Sequence, residues 1–154
     1  MRLTRQTNYA IRMLMYCAAN GHVLSRVPDI AKAYGVSDLF LFKILQPLVA
    51  DSLVETVRGR NGGIRLAKPA TDITLLDVVR ATEESFSMAE CFEAEGTDCP
   101  LVDGCGVNSA LRRALGAFFE VLSEYSIDRL VKARPNMRVV LGLDEDDVEM
   151  KAAS

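Results

Sequence analysis

Apolar side chains recur with helical spacing at the start of the chain. Tyr9, Met13 and Cys17 fall on one face of a helix that Thr4 can cap and that Asn20-Gly21 can end. We therefore predict a first helix over this stretch. Cys17 lies on its apolar stripe, and apolar burial suppresses thiolate formation, so we expect it to be a core residue and not a metal ligand.

Two more helices follow, with a tight turn between them. Pro28 in a first turn and Gly35 as a stop mark the second helix, and Ser37 caps a third that runs to about Asp51. One face of the third helix is apolar: Phe40, Leu41, Ile44, Leu45 and Leu48. Pro47 removes a backbone donor, so we expect a kink or an early loosening of this helix. Helix, tight turn and helix are typical of a helix-turn-helix motif.

The opposite face of the third helix carries two large apolar residues, Leu39 and Phe42, beside Lys43 and Gln46. In a major groove, the apolar pair could meet thymine methyl groups while Lys43 and Gln46 reach phosphates or base edges. Packing of the same pair against another helix is the alternative, because an exposed apolar patch marks an interface without naming the partner. The pattern leaves both interpretations open.

After residue 52 the pattern changes to that of a β-hairpin. Residues 53–57 and 64–66 are rich in β-formers, and the turn between them reads Arg58-Gly59-Arg60-Asn61-Gly62-Gly63. We predict a wing whose glycine backbone enters a narrow groove while Arg58 or Arg60 projects into the negative potential of the minor groove. A plain surface hairpin is the alternative, but its place after a helix-turn-helix favours DNA. The further candidate DNA contacts are Arg2, Thr4, Ser37 and Gly59.

The second half is expected to contain a short helix and a long one. The short helix opens at Thr74 and runs to about Glu84; the long one runs from Asn108, as its cap, towards Arg134. Its apolar residues recur at spacings of four and three: Leu111, Leu115, Phe118, Leu122 and Tyr125, with Phe119 and Val121 enlarging the surface. Such a seam indicates a partner helix, so we expect a two-fold homodimer.

Charge divides the chain into two regions. Residues 1–70 carry ten Lys and Arg against four Asp and Glu, a net charge of +6, whereas residues 71–154 carry eight against seventeen, a net charge of -9. The basic region suits phosphate contact and the acidic one should face away from DNA. No apolar run approaches the length of a membrane span, and the first residues lack the apolar core of a signal peptide, so we expect a cytoplasmic protein without membrane contact.

Three of the four cysteines lie between positions 91 and 105, in a segment that follows neither helical nor strand periodicity. In a reducing compartment, thiolates at Cys91, Cys99 and Cys105 suggest a site for zinc, copper(I) or an iron–sulfur cluster. Three unrelated reduced cysteines are the structural alternative. A thiol-dependent enzyme is less favoured, because the chain has no Cys-x-x-Cys pair and its only histidine, His22, follows the first helix in a turn.

Several stretches resemble the Rrf-type winged-helix family. They are Met1-Arg2-Leu3-Thr4, Asn8-Tyr9-Ala10, the wing with Ile64-Arg-Leu-Ala-Lys-Pro69, and the three-cysteine segment before a long helix. The resemblance implies a mainly α fold with a small β-hairpin wing, in a homodimeric repressor whose iron–sulfur cluster controls DNA binding. Cys91, Cys99 and Cys105 match the family's cluster ligands, with [4Fe–4S] expected and [2Fe–2S] as the alternative. Stretches 39–47, 88–93 and 99–103 most resemble the rhizobial iron regulators of the family, which implies iron-responsive repression of iron-related genes.

The chain departs from the family at the fourth ligand. Asn108 stands where the Isc-type regulators have a histidine, and Asn8 stands where the nitric-oxide sensors have an aspartate. An uncharged amide is a poor ligand for iron, so we expect water, a small thiol or a carboxylate there, the carboxylates being Glu90, Glu93, Asp98 and Asp103. An Isc-type, nitric-oxide or redox sensor and a zinc-stabilised repressor remain alternatives.

We accordingly divide the chain into three regions by expected role. Residues 1–70 form the winged helix-turn-helix region, 71–135 carry the cysteine segment and the dimerisation helix, and 136–154 form an acidic, mobile tail.

Overall fold

The structure is a computed structural model that describes residues 2–92, 99–100 and 104–143. This part of the chain forms α-helices and one two-stranded antiparallel sheet, so the expected mainly α fold with a small hairpin is confirmed. The elements are α1 (Arg5–Ala19), α2 (Val27–Tyr34), α3 (Asp38–Ala50), β1 (Val54–Val57), β2 (Gly63–Leu66), α4 (Leu75–Thr82), α5 (Gly106–Ser123), α6 (Ile127–Lys132) and α7 (Met137–Val140). Short 3-10 turns lie at Ala70–Asp72 and Glu90–Phe92.

Helix α1 is the centre of the core. The Thr4 side chain caps it by accepting from the Thr7 backbone N–H at 3.2 Å, as the sequence predicts. Its apolar stripe is covered by α3, α4 and α6, and Met13 and Leu14 are fully buried. Burying side chains of this size contributes about 1.5–3 kcal/mol each, so α1 orders the elements on both sides of it.

Helices α2 and α3 form the predicted pair. Gly35 ends α2 with φ 64°, a left-handed conformation that favours glycine, and the Ser37 side chain caps α3. Of the two outcomes expected at Pro47, an early loosening is wrong, because α3 continues to Ala50, and a kink stays a prediction. Buried side chains on both sides of the proline, Ile44 and Leu48, offset the lost hydrogen bond.

None of the helices in the described ranges is by itself long and apolar enough to cross a membrane. The pair α2 and α3 reaches that length and apolarity only when taken together, with a bend of 118° between the two helices.

The predicted hairpin is present, and it pairs Val54 with Leu66 through Val57 with Gly63. Its turn depends on glycine, because a Cβ on Gly62 would lie 2.3 Å from the Val57 carbonyl oxygen. Ser25 extends the sheet by one residue on the other edge, through reciprocal backbone hydrogen bonds with Ile64. The wing is therefore joined to the start of α2 as well as to the end of α3.

The single long helix predicted from Asn108 to Arg134 is wrong in both its start and its length. Helix α5 begins at Gly106 and ends at Ser123, and a separate helix, α6, follows after a break. At the break, the Leu75 N–H donates to the Tyr125 carbonyl and the Ile127 N–H donates to the Ile73 carbonyl, each at 2.8 Å. These backbone bonds divert the chain, and the Ser126 side chain caps the new helix.

The segment from residue 136 onwards was expected to be a tail. Its first part instead packs on the core: Met137, Leu141 and Leu143 are buried, and the Arg138 guanidinium donates to the carbonyls of Ala19 and Leu143. The first of these two hydrogen bonds joins the end of α1 to the segment after residue 136. The apolar pattern of the sequence did not predict either bond. The acidic residues 144–154 lie outside the described part of the chain.

Candidate DNA-binding and cysteine sites

The outward face of α3 is open to solvent. Leu39 is 82% exposed and Phe42 is 48% exposed, and Lys43 and Gln46 are also exposed. In the part of the chain that the structure describes, Leu39 is therefore largely uncovered and Phe42 is about half covered, which disfavours packing of this pair against another helix. Exposed apolar side chains of this kind mark an interface without naming the partner, so the DNA contact of this face stays a prediction.

Two of the candidate DNA contacts are helix caps. The Ser37 hydroxyl accepts from the Phe40 N–H at 3.3 Å, and Thr4 caps α1 in the same way. Both hydroxyl groups therefore lie at helix N-termini, where free backbone N–H groups and the helix dipole favour an anion such as a phosphate. Arg2, just before α1, is exposed.

The wing tip carries two exposed arginines, Arg58 and Arg60, on either side of Gly59, whose φ of 116° favours glycine. A third arginine, Arg65, forms an ion pair with Glu55 across the strands. Among the residues that the structure describes, neither arginine of the tip forms an ion pair within 4.0 Å. The tip therefore presents uncompensated positive charge, and the stem does not.

A stack of arginines and aromatic rings joins α1 to the helix-turn-helix and was missed by the sequence analysis. The Arg5 guanidinium lies 5.0 Å from the ring centroid of Phe40 and 5.5 Å from that of Tyr9. Arg12 lies 4.9 Å from Tyr9 and 5.7 Å from Tyr34. The repeat of Arg, Tyr and Arg at positions 5, 9 and 12 is the signal that could have revealed it, since such residues share a helix face. The stack holds the first turn of α3 against α1.

Cys17 differs from the other cysteines in burial. It is 2% exposed, and burial raises the pKa of its thiol to about 12, an effect that the Ser25 hydrogen bond only partly opposes. A thiol with such a pKa remains protonated and does not act as a metal ligand. The expectation that Cys17 is a core residue is confirmed.

The other three cysteines are accessible and form no disulfide. Cys91 is half-buried in the 3-10 turn Glu90–Phe92, Cys99 is exposed, and Cys105 is half-buried at the N-cap of α5. The Cys91 carbonyl accepts from the Asn108 side chain in the first turns of α5. Two of the three cysteines therefore lie near the same end of one helix.

The donor set fits a soft metal or an iron–sulfur cluster in kind, because thiolates are the ligands that these groups prefer. In residues 2–92, 99–100 and 104–143, no three His, Cys, Asp or Glu side chains are already placed to hold a metal ion. The carboxylate candidates are split: Glu90 is exposed, while Glu93, Asp98 and Asp103 lie outside the described residues. A bound group would therefore have to complete the ligand set, because the described residues do not hold three such side chains together.

Neither asparagine considered for the fourth position contacts a thiol in the described structure. Asn8 is exposed on α1, and its backbone N–H donates to the Thr4 carbonyl. The prediction that Asn108 caps α5 is wrong, because the N-cap is Cys105. The Asn108 side chain instead accepts from the Arg112 Nε at 2.7 Å and donates to the Cys91 carbonyl at 3.5 Å. Its polar atoms are therefore engaged by α5 and by the 3-10 turn that contains Cys91.

A polar joint connects the start of α1 to the chain just before the cysteine segment. Glu83 ends α4, and its carboxylate accepts from the Thr4 backbone N–H at 2.7 Å and from the Thr7 hydroxyl at 2.5 Å. The hydroxyl groups of Thr7 and Thr82 are 2.8 Å apart. Because a carboxylate bond to a helix N-terminus is charge-assisted, this joint couples the end of α4 to the helix that carries Thr4 and Asn8.

Helix α5 has no fully buried residue. The predicted seam is half-buried against this chain, and Phe119 packs edge-on against Phe86 at 4.9 Å, so it does not enlarge the open surface as was expected. A second apolar row is exposed instead, at spacings of three and four: Val107, Ala110, Ala114, Ala117 and Val121. Heptad spacing of small and branched apolar residues is typical of a helix that packs against another helix.

Comparison with known proteins agrees with this arrangement. Residues 3–133 match the family model Rrf2, described as an iron-dependent transcriptional regulator. The chain is 72% identical over 145 residues to Protein aau3 of Rhizobium meliloti, covering 94% of each chain. It is 42% identical over 142 residues to the HTH-type transcriptional regulator NsrR of Geobacillus kaustophilus, covering 92% of this chain and 97% of that protein.

Solved structures share the fold. CymR, the global cysteine regulator of B. subtilis, superposes with a TM-score of 0.72 at 23% identity, over 87% of this chain and 98% of CymR. T. potens IscR superposes with a TM-score of 0.70 at 21% identity, over 89% of this chain and 91% of IscR. At such low identity, these two matches establish the winged-helix architecture only. The family match and the close relatives establish more: this chain belongs to the Rrf2 family, whose members are DNA-binding transcriptional regulators and not enzymes.

Proposed function

We propose that this regulator responds to iron through an iron–sulfur cluster held by Cys91, Cys99 and Cys105, and that the cluster-loaded homodimer represses iron-related genes in the cytoplasm. The observation that carries the proposal is the division of the four cysteines. One is sealed in the core with a raised pKa, whereas the other three are accessible, and two of them lie at one end of α5. That division favours a ligand set over four unrelated thiols.

DNA reading is assigned to α3 and the wing. Leu39 and Phe42 are the candidates for thymine methyl contact, with Lys43 and Gln46 beside them for base edges or phosphates. Arg58, Gly59 and Arg60 form the wing contact, supported by the absence of an ion-pair partner for the two arginines in the described residues. The candidate backbone contacts are Arg2, Thr4 and Ser37, which lie at or near helix N-termini.

Dimerisation is assigned to α5. Its exposed row from Val107 to Val121 would bury apolar surface against the same row of a second copy, as a two-fold axis requires. Alanines at the centre allow two helix backbones to approach closely. The half-buried row from Leu111 to Leu122 then lies between the dimer contact and the core of each chain.

Metal ligation at the cysteines would act on the DNA-binding half through local contacts. When bound, the cluster would supply cross-links between the thiolates of the cysteine segment and a signal that depends on iron supply. The chain's own residues provide the route from there: Glu83, seven residues before Glu90, is bonded to the start of α1, and Arg5 of α1 is stacked on Phe40 of α3. Ordering of the cysteine segment would therefore bias the position of the helix that supports α3.

The proposal is tested on anaerobically purified protein with a duplex selected by that protein from a random pool. A mild iron chelator is added while visible absorbance and duplex binding are followed together. We expect both to fall in parallel, because cluster loss removes the cross-links that order the segment. The triple replacement of the three cysteines by serine should bind neither iron nor the selected duplex, whereas Cys17→Ala should keep both.

Several outcomes would contradict the proposal. Binding that persists after the absorbance has gone would show that the cluster is not the switch. A colourless protein with zinc bound would support the zinc-stabilised repressor instead. Loss of absorbance with nitric oxide or oxygen, but not with the chelator, would favour the nitric-oxide or redox sensor.

A further inference from the structure

We propose that Asn108 and Arg112 are positioning residues that clamp Cys91 onto the start of α5, and that Asn108 is not a metal ligand. This inference rests on the proposed cysteine site, but its geometry comes from side chains that the structure describes. It gives a role to Asn108, which stands where the Isc-type regulators have a histidine.

The oxygen of Asn108 is already occupied. It accepts from the Arg112 Nε at 2.7 Å, which is a charge-assisted hydrogen bond. This oxygen is the only atom of an amide side chain that binds a metal cation well. A guanidinium held against it places positive charge where the metal would have to come, so the pair disfavours coordination by Asn108.

The pair Asn108 and Arg112 contacts two consecutive residues, Cys91 and Phe92. The Asn108 Nδ2 donates to the Cys91 carbonyl at 3.5 Å, and the Arg112 guanidinium lies 4.7 Å from the ring centroid of Phe92. One contact holds the backbone of Cys91 and the other holds the side chain that follows it. Because Asn108 and Arg112 are also bonded to each other, the two contacts support one geometry.

A second attachment lies further along the same helix. Phe86 packs edge-on against Phe119 at 4.9 Å, with the Arg80 guanidinium 5.6 Å from the Phe119 ring. The segment from Phe86 to Phe92 therefore runs antiparallel to α5, from position 119 back to position 112. Seven helical residues rise by about 10 Å, a distance that six residues of segment span easily.

This arrangement delivers Cys91 to the N-terminal end of α5, where Cys105 is the cap. The contacts that do so are an amide, a guanidinium and aromatic rings, and none of them requires a metal. The clamp therefore prepares two of the three thiols before any metal binds, and Cys99 is left to be recruited on binding. Preparing part of a site lowers the entropy lost when the group binds.

The test compares three variants with the wild type, first without metal. Asn108→Ala removes the amide, Arg112→Gln removes the charge and the stacking, and Arg113→Gln is the matched control on the neighbouring position, which is exposed. Amide hydrogen exchange over residues 86–92 should become about threefold to tenfold faster in the first two variants and stay unchanged in the control, as loss of one hydrogen bond implies. Equal exchange in all four proteins would overturn the clamp.

The second measurement uses protein loaded with iron and sulfide anaerobically. Iron release to a chelator should be about threefold to tenfold faster for Asn108→Ala and Arg112→Gln, because a less restrained Cys91 opens more often. The Mössbauer spectrum should match that of the wild type, since no ligand has been removed. A changed iron site in Asn108→Ala would show that Asn108 is a ligand and would overturn the proposal.

Failure of the clamp and failure of the proposed function are distinguishable. If the wild type takes up no cluster, the proposed function is wrong, and the exchange experiment still decides whether the clamp exists. If the wild type is loaded and responds to iron while exchange is insensitive to both variants, the clamp is wrong and the function stands.

Discussion

The regions around α1 and α5 differ in how much of their apolar surface this chain buries. Around α1 the chain is complete in itself: the helix is capped, its stripe is covered by three other helices, and Cys17 is sealed in the core. Around α5 the chain is open, because that helix buries no residue fully and carries an exposed apolar row. The first region is stabilised by its own packing, whereas the second leaves apolar surface exposed and three thiols accessible.

This difference suggests how sensing and reading are separated. A DNA-binding region with a complete core keeps its shape whether or not a signal is present. If the order of the second region depends on a second copy and on a bound metal, as we propose, that region is the one that can change. The Glu83 joint and the Arg5 stack are the contacts through which the second region can influence the first.

The largest effect is expected where the open region meets a second copy. Replacing both Ala114 and Val121 with Glu puts four carboxylates into one dimer contact, which should weaken dimerisation by about 1,000-fold or more. Both positions are exposed, so the monomer should still fold. Sedimentation should show monomers, with loss of binding to a palindromic duplex.

The matched control for this variant is Gly116→Glu. It adds one carboxylate per chain, half the charge of the double replacement, to the same helix outside the exposed row, and its Cβ would meet open space. It should remain dimeric. A dimer that survives the double replacement would move the interface away from α5.

Burial in the region around α1 should make the stability of the fold fall at alkaline pH. The pKa of Cys17 is raised from 9.0 to about 12 and that of Tyr34 from 10.0 to about 12, in both cases chiefly by burial. A raised pKa stabilises the fold fully below the unfolded value, and this contribution is lost as pH rises towards the folded value. For Cys17 the loss should reach about 3–4 kcal/mol near pH 12.

The measurement is urea unfolding of metal-free protein between pH 8 and 11. Cys17→Ala should flatten the decline in unfolding free energy that begins near pH 9, and Tyr34→Phe should remove a smaller part that begins near pH 10. The absolute stability of Cys17→Ala will also drop, because a buried side chain is truncated, so the slopes are what is compared. An identical slope in wild type and Cys17→Ala would mean that this thiol is accessible.

The smallest effect is expected at the wing, where the reading surface can be tested without disturbing either region. Arg58→Ala should weaken binding to the selected duplex by about 1–3 kcal/mol at fixed salt, with unchanged thermal stability. Arg65→Ala removes the same charge from the stem, where Glu55 already compensates it, and should cost less. Equal losses for the two variants would show that the wing contributes only general charge.

Local patterns predicted the first region well because its signals are local. Thr4, Ser37 and Gly35 act within a few residues of their own positions, as a cap or a stop does, and each is found where the pattern indicated. The exposed pair Leu39 and Phe42 also follows from helical period alone. The helical period cannot show, however, how far the burial of side chains next to Pro47 offsets the backbone hydrogen bond that the proline cannot donate.

Errors concentrate in the second region, where distant contacts decide the outcome. A continuous apolar period predicted one helix through Ser126, but backbone bonds from Ile73 and Leu75 end α5 there, and those partners are about fifty residues away in the chain. Asn108 has the residue type of a cap, yet its side chain is engaged by Arg112 and by the Cys91 carbonyl. Cap preference is a local propensity, and tertiary hydrogen bonds override it.

By itself, the sequence determined the kind of protein: a helix-turn-helix with a glycine wing, a basic first half and three cysteines in one segment. Residue type and spacing suffice for these features, because caps, stops and periods act over a few residues. Only the tertiary structure decided that Cys91 and Cys105 share one end of α5, that a second apolar row is exposed, and that residues 137–143 return to the core. Burial and long-range hydrogen bonds depend on which surfaces meet, and a local pattern does not contain that information.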